Sequence, residues 1–287
     1  MASRSRTGRR VTTAGQVARP VAALRSRTVL VTFLGSVVRH LGSWMPIAGT
    51  VELTSGLGLD TPSVRTAVSR LKKRGWLLSE TRAGVRGYGL STEALASLAA
   101  GDQVIWHARQ PADLADGWCV ITFSIPETAR GRRDRLRSHL SALGFGNVST
   151  ATWIAPARMQ AAAEQAIAEL DLMSFCAVFT GSYVAGPDLP ALVARSWDLP
   201  AMDARYRTFL ARFADAAPEP GAVIPADAFA TYVTMVDHWR QLPFRDPALP
   251  PDLLPANWTG GEALALFERR VTQLEDRALA HAATYWP

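Results

Sequence analysis

Residues 61–78 read TPSVRTAVSRLKKRGWLL. Thr61 offers a capping hydroxyl, Pro62 suits the first helical position, and Gly75 after Arg74 supplies a stop, so Pro62–Arg74 is expected to be one helix. At 100° per residue, Val64, Ala67, Val68 and Leu71 fall on one side and face a core. The other side carries Pro62, Ser63, Arg65, Thr66, Ser69, Arg70, Lys72 and Lys73, with no acid anywhere on the helix. An exposed stripe of cations, hydroxyls and no carboxylates suits a polyanion: arginine and serine or threonine can read base edges, and lysine can neutralise phosphate.

Upstream, Val29, Leu30, Phe33, Leu34, Val37, Val38 and Leu41 recur at helical spacing across Ser26–Leu41, and Gly42 ends that helix. A shorter segment, Ile47–Leu57, and the turn Gly58-Leu59-Asp60 lead into the basic helix. Downstream, Gly75–Ser79 reads as a strand, Thr81–Gly87 as a turn and Tyr88–Ser91 as the returning strand. Arg82 and Arg86 lie at the hairpin tip, within reach of phosphate or an adjacent minor groove. Helix, short helix, turn, basic helix and arginine-tipped hairpin describe a winged helix-turn-helix whose partner is double-stranded DNA. The bland alternative, a solvated face, does not explain why charge, cap, spacing and hairpin coincide. RNA is the poorer partner, because stacking aromatics beyond Tyr88 are missing from the surface.

Charge distribution agrees. The chain has 287 residues and a formal net charge of +6. Residues 1–90 hold 15 basic residues against three acids, Glu52, Asp60 and Glu80, a net +12; the remainder holds 16 against 22, a net −6. Residues 1–24 carry Arg4, Arg6, Arg9, Arg10 and Arg19 without periodicity and read as a disordered basic tail, either an affinity-supplying arm or a solubilising leader. The apolar run after it is broken by Thr32, Gly35 and Ser36 and lacks a cleavage pattern, so it is not expected to be a signal peptide. No stretch reaches the roughly 20 apolar residues of a spanning helix. Cys119 and Cys176 sit in apolar runs as reduced core thiols, and five scattered histidines with two distant cysteines make no zinc set. A cytoplasmic protein without membrane partner, metal or cofactor is expected.

The chain divides, on this reading, into the tail 1–24, the winged helix-turn-helix with its linking helix at 25–110, a central domain at 111–187 and a helical domain at 188–287. Ser91 caps the linking helix, and Gln110-Pro111 marks the boundary. In the central domain the expected order is strand Gly117–Ile125, helix Thr128–Leu143, strand Val148–Ile154, helix Met159–Leu172 and strand Ser174–Val184. This alternation predicts a ferredoxin-like α/β sandwich, making the whole an α+β multidomain chain. Arg130, Arg133 and Arg137 form a stripe opposite the leucines of its first helix and read as a solvated or partner-facing surface, with a second nucleic-acid site as the alternative. Leu189–Ala214, Ala226–Leu242 and Gly261–Trp286 read as the helices of the last domain.

The run Val64-Arg65-Thr66-Ala67-Val68-Ser69-Arg70-Leu71 ahead of Gly75-Trp76-Leu77 resembles the recognition helix of PaaX-type repressors of phenylacetic acid catabolism. The resemblance continues through Gly117–Pro126, Leu143-Gly144-Phe145-Gly146, Trp197-Asp198-Leu199 with Tyr206 and Phe209, Arg245-Asp246-Pro247, Leu253-Leu254-Pro255 and Trp258. It covers nearly everything from Arg25 onward. It implies a homodimeric transcriptional regulator, a repressor of an aromatic-acid catabolic operon, released by a small-molecule effector that is an aryl-CoA thioester such as phenylacetyl-CoA. CoA phosphates need cations, and Arg195, Arg205 and Arg207 around Trp197 and Tyr206 are the candidate effector residues, with surface or ion-paired arginines as the alternative. The central domain also resembles the fold of a CRISPR-associated nuclease, which holds metal through an aspartate near the end of its first strand. Here that place offers Ser124, a poor ligand, with Glu127 past Pro126. A metal-dependent nuclease acting on nucleic acid is the runner-up; no catalytic residues are assigned, and the chain is expected not to be an enzyme.

Overall fold

A computed structural model describes residues 26–106, 110–214 and 224–287; the basic tail 1–24 lies outside them. The fold is α+β, with two antiparallel sheets, and the chain forms two units: residues up to Ala94 together with Leu279–Pro287, and Leu95–Ala278.

In the first unit, helix α1 occupies 26–33 and continues into a π-helical turn, Leu34–Val38. Its Leu30, Phe33, Leu34, Val37 and Val38 are fully buried. Two hydroxyls on the buried side, Thr32 and Ser36, donate to the carbonyls of Thr28 and Thr32, so neither is left unsatisfied. Strand β1 (Trp44–Pro46), helix α2 (Ile47–Ser55), helix α3 (Thr61–Lys73), and strands β2 (Leu77–Arg82) and β3 (Val85–Leu90) follow. The strands pair in the order β1-β3-β2.

Three expectations change here. The cap of α3 is Asp60, whose carboxylate accepts from the Ser63 amide at 2.7 Å, and Thr61 is already helical. The hairpin strands are longer than expected and the turn shorter: Arg82 pairs with Val85 and Thr81 with Arg86, leaving a two-residue turn, Ala83-Gly84, with both φ angles positive. Strand β1 was not anticipated; three residues carry no periodicity, and its pairing with β3 is long-range. At its other end α3 closes as expected. Gly75 takes φ 78°, its amide donates to Lys72, and the Trp76 amide donates to Leu71, which together satisfy the last carbonyls. Val64, Ala67, Val68 and Leu71 are buried; each of the larger three contributes about 1.5–3 kcal/mol by leaving water.

Helix α4 (Thr92–Ile105) starts at the Ser91 cap, in the last residues of the first unit's N-terminal stretch, and from Leu95 onward belongs to the second unit. The four-stranded sheet combines β4 (Trp118–Phe123), β5 (Gly146–Ser149), β6 (Thr152–Pro156) and β7 (Cys176–Gly181) in the order β5-β6-β4-β7, all antiparallel. The single strand expected at Val148–Ile154 is therefore a hairpin, β5 to β6. Both sheet faces are covered, which explains the almost unbroken apolar run of β4. Cys119, Ile121 and Phe123 pack with Leu136, Leu140, Ala163 and Ile167 of helices α5 (Arg130–Ala142) and α6 (Gln160–Glu169). Trp118 and Ile154 pack on the other face with Leu192, Val193, Trp197 and Leu249. Burial pushes both thiols up, Cys119 and Cys176 each to about 11.

The helix expected over Leu189–Ala214 is two: α7 (Leu189–Ser196) and α8 (Leu199–Phe213). Trp197 is extended, and Asp198 caps α8 through the Ala201 amide at 3.0 Å. The remaining helices are α9 (Pro225–Trp239) and α10 (Gly260–Ala283). Phe209, Trp239 and Phe267 form an aromatic core in which the last two rings stack at 4.6 Å. No helix among the described residues is long and apolar enough to cross a membrane.

Candidate functional site

The surface of α3 follows from its register. With Val64, Ala67, Val68 and Leu71 committed to the core, Pro62, Arg65, Thr66, Ser69, Arg70, Lys72 and Lys73 are exposed and Ser63 is partly so. Arg65, Arg70, Lys72 and Lys73 have no ion-pair partner among the described residues. The nearest acid in sequence, Asp60, is occupied at the helix start. Its hydrogen bonds from Ser63, backbone amide first, hold its pKa below the ordinary carboxylate value.

The hairpin divides its arginines. In an antiparallel pair, residues opposite one another share a face and alternate along each strand. The Thr81–Arg86 and Ser79–Tyr88 pairs therefore place Arg86 with Ser79, Thr81 and Tyr88, and Arg82 on the reverse face with Leu78 and Glu80. A groove of about 720 Å³ between α3 and the hairpin is lined by Arg65, Ser69, Lys72, Thr81, Arg86 and Tyr88, among others. Arg82 is held elsewhere: it pairs with Glu80 at 2.8 Å, donates to the Gly42 carbonyl at 3.2 Å and lies over the Trp44 ring at 5.4 Å. The sequence places the two arginines together at a tip; the structure makes one a groove residue and the other a brace.

The five candidate effector residues do not form one site. Trp197 is buried, donates its indole N–H to the Gly144 carbonyl at 2.9 Å and lies against Gly146, where a Cβ would stand 2.6 Å from its ring. Leu143-Gly144-Phe145-Gly146 is thus the seat of this indole. Trp197 and Arg205 line a cavity of about 670 Å³, joined there by Arg137 and Arg245. Tyr206 lines a different cavity of about 430 Å³, mainly apolar, with Trp239, Leu249, Pro255 and Trp258. Its hydroxyl donates to Asp246 at 2.6 Å; burial and the adjacent carboxylate both push its pKa up. Arg207 pairs with Asp203, and Arg195 is exposed and lines neither cavity. Burial works to raise the pKa of Asp203, but the amide and hydroxyl of Thr259 and the charge of Arg207 outweigh it, and the net direction is down. Arg137 and Arg245 were missed as ligand candidates because they lie on an earlier helix and a later loop.

The carboxylate nearest the end of β4, Glu127, is engaged by Arg130 at 3.4 Å and Arg133 at 3.1 Å. Among the described residues no three of His, Cys, Asp and Glu group so as to hold a metal ion.

Comparison with known proteins covers the same regions. Residues 25–94 match the family described as PaaX-like protein, 111–193 the PaaX protein central Cas2-like domain, and 197–284 the PaaX-like protein C-terminal domain. The transcriptional repressor PaaX of Escherichia coli K12 is 29% identical over 264 residues, covering 89% of this chain and 82% of that protein. The solved structure of the uncharacterized protein Rv0674 from Mycobacterium tuberculosis superposes with a TM-score of 0.59 at 23% identity, over 89% of this chain and 97% of that one, and shows a shared fold. With three successive matches to the same family along its length, the chain belongs to the PaaX-type repressors.

Proposed function

We propose that this chain is a DNA-binding transcriptional regulator, a homodimeric repressor of an aromatic-acid catabolic operon that works in the cytoplasm and is not an enzyme. The observation that carries the reading is the acid-free face of α3, with Arg65, Arg70, Lys72 and Lys73 exposed and, among the described residues, unpaired beside a groove completed by Arg86. In this reading α2, the turn and α3 are a helix-turn-helix and β2–β3 is its wing. A major groove admits such a helix, and two copies on a two-fold axis would address two half-sites. The name of the Escherichia coli relative supports repression.

The division into parts at 25–110, 111–187 and 188–287 is supported by the three separate family matches. A ferredoxin-like central part is supported by the strand order, in which its first strand lies between its third and fourth, with α5 and α6 sharing one face. The effector is an aryl-CoA thioester such as phenylacetyl-CoA; an arginine-lined cavity and an apolar, aromatic-lined one offer the two chemistries such a molecule needs. It regulates only if the conformation released from DNA takes it more tightly, since equal affinity for both states shifts nothing.

The test is fluorescence anisotropy on duplexes from the region upstream of the adjacent genes, with and without phenylacetyl-CoA. Salt-dependent, sequence-selective binding reversed by the thioester is expected. Metal-dependent cleavage of the same duplex, abolished by Glu127→Ala, would overturn the reading in favour of a nuclease.

A further inference from the structure

The arginine stripe of α5 does not behave as a unit. Arg130 and Arg133 are taken by Glu127. Arg137, one turn further along, is half-buried, has no ion-pair partner among the described residues and lines the 670 Å³ cavity. Arg205 from α8 and Arg245 from the proline-rich loop line the same cavity, are exposed and are equally unpaired. Three arginines from three elements, separated by 68 and 40 positions in the sequence, line one concavity. Its one acid, Asp198, is occupied in capping α8.

A second, independent feature lies in the same wall. The hydroxyl oxygen of Ser196 is buried and has no hydrogen-bond partner among the described residues, although Ser196 also lines this cavity. A buried hydroxyl without a partner is uncommon and asks for an acceptor that the protein does not supply. Convergent arginines with a spare hydroxyl donor match the oxygens of a phosphate group, which guanidinium recognises through paired, charge-assisted hydrogen bonds.

We infer that the cavity lined by Arg137, Arg205, Arg245 and Ser196 is a phosphate-binding subsite for an anionic small molecule. Beside it, consecutive residues face two chemistries: Arg205 and Arg245 line this cavity, while Tyr206 and Asp246 line the apolar one. A ligand with a phosphate-bearing end and an apolar end would occupy both. This assignment deepens the effector reading and rests on it only for the ligand's name.

The experiment is calorimetric titration of the full chain with inorganic pyrophosphate and, separately, with free CoA. The wild type is expected to bind both; Arg137→Ala, Arg205→Ala and Arg245→Ala should each weaken binding by roughly tenfold or more, the loss expected for a charged hydrogen-bond partner. Arg130→Ala should bind as the wild type does. Ser196→Ala should weaken binding without lowering Tm, since its hydroxyl has no partner among the described residues to lose; a fall in Tm with unchanged binding would make the serine structural. Absence of pyrophosphate binding by the wild type, or arginine variants that bind as it does, would overturn the assignment. If pyrophosphate binding depends on these arginines while phenylacetyl-CoA leaves the DNA complex intact, the subsite stands and the thioester reading fails. If phenylacetyl-CoA releases DNA at the same concentrations from the wild type and the three arginine variants, the thioester reading stands and this subsite is wrong.

Discussion

Helices α3 and α5 begin alike: each is preceded by one acid and carries several basic residues along its exposed side. The acids are used differently. Asp60, with its short side chain, turns back onto the Ser63 amide and caps α3, and the cations of that helix have no ion-pair partner among the described residues. Glu127 is one methylene longer and sits in the 3₁₀ turn Glu127–Ala129; it reaches outward to Arg130 and Arg133, and α5 has Ala129 as its N-cap with no side-chain cap. A count of arginines does not separate a helix proposed to read DNA from a solvated one. The placement of carboxylates does: α3 carries none, whereas α5 carries Asp134, 3.9 Å from Arg130, and follows Glu127, which engages Arg130 and Arg133.

That contrast can be attacked directly. Removing the free cations should have the largest effect: Arg65→Ala and Arg70→Ala should each cost about 1–3 kcal/mol of operator affinity and relax sequence preference in anisotropy titrations. Full affinity in the double variant would mean that the wrong face has been assigned. Giving α3 an acid of its own, through Ser69→Glu, places a carboxylate four residues from both Arg65 and Lys73; operator affinity should fall by about as much as removal of one arginine. Lys72→Ala should act on affinity without sequence preference, lowering the slope of log K against log salt by about 0.9. On α5 the paired arginines should be nearly silent. Arg130→Ala with Arg133→Ala should leave operator affinity within about twofold and cost under about 1 kcal/mol in denaturant unfolding, as for exposed ion pairs. Smallest is the pH effect of the cap. The folded pKa of Asp60 lies below its unfolded value, so its contribution is present above the ordinary aspartate range and lost as pH falls through the lowered value. Asp60→Asn keeps a capping side chain without the charge, so wild type and variant should converge in Tm as the pH is lowered; a constant difference would show that the charge plays no part.

The parts of the structure governed by local chemistry were legible in the sequence. Pro62 and Gly75 bound α3 almost to the residue, and the period of Val64, Ala67, Val68 and Leu71 identified its buried side. Legibility failed where two local signals competed or where partners were distant. Thr61 and Asp60 are both good capping residues, and only geometry chooses between them. Pro200 inside the helix expected at Leu189–Ala214 was an available warning; with Asp198 before it, it marks a new helix start rather than an interior. The splitting of Arg82 from Arg86 follows from a turn of two residues where seven were expected, which changes the register and hence the face. The meeting of Arg137, Arg205 and Arg245 depends on α5, α8 and a loop arriving together, and no periodicity encodes that.

The first unit is not finished by its own stretch of chain. The Trp286 indole donates to the Trp44 carbonyl at 2.8 Å, and Gly49 of α2 lies so close to Tyr285 that an added Cβ would stand 2.8 Å from that residue's Cβ. A fragment ending near residue 94 would lack both contacts and leave the Trp44 carbonyl and one side of α2 bare. On the ribosome the consequence is one of timing: α3 and the hairpin emerge first, yet the unit that holds them can be completed only after the whole second unit has been synthesised.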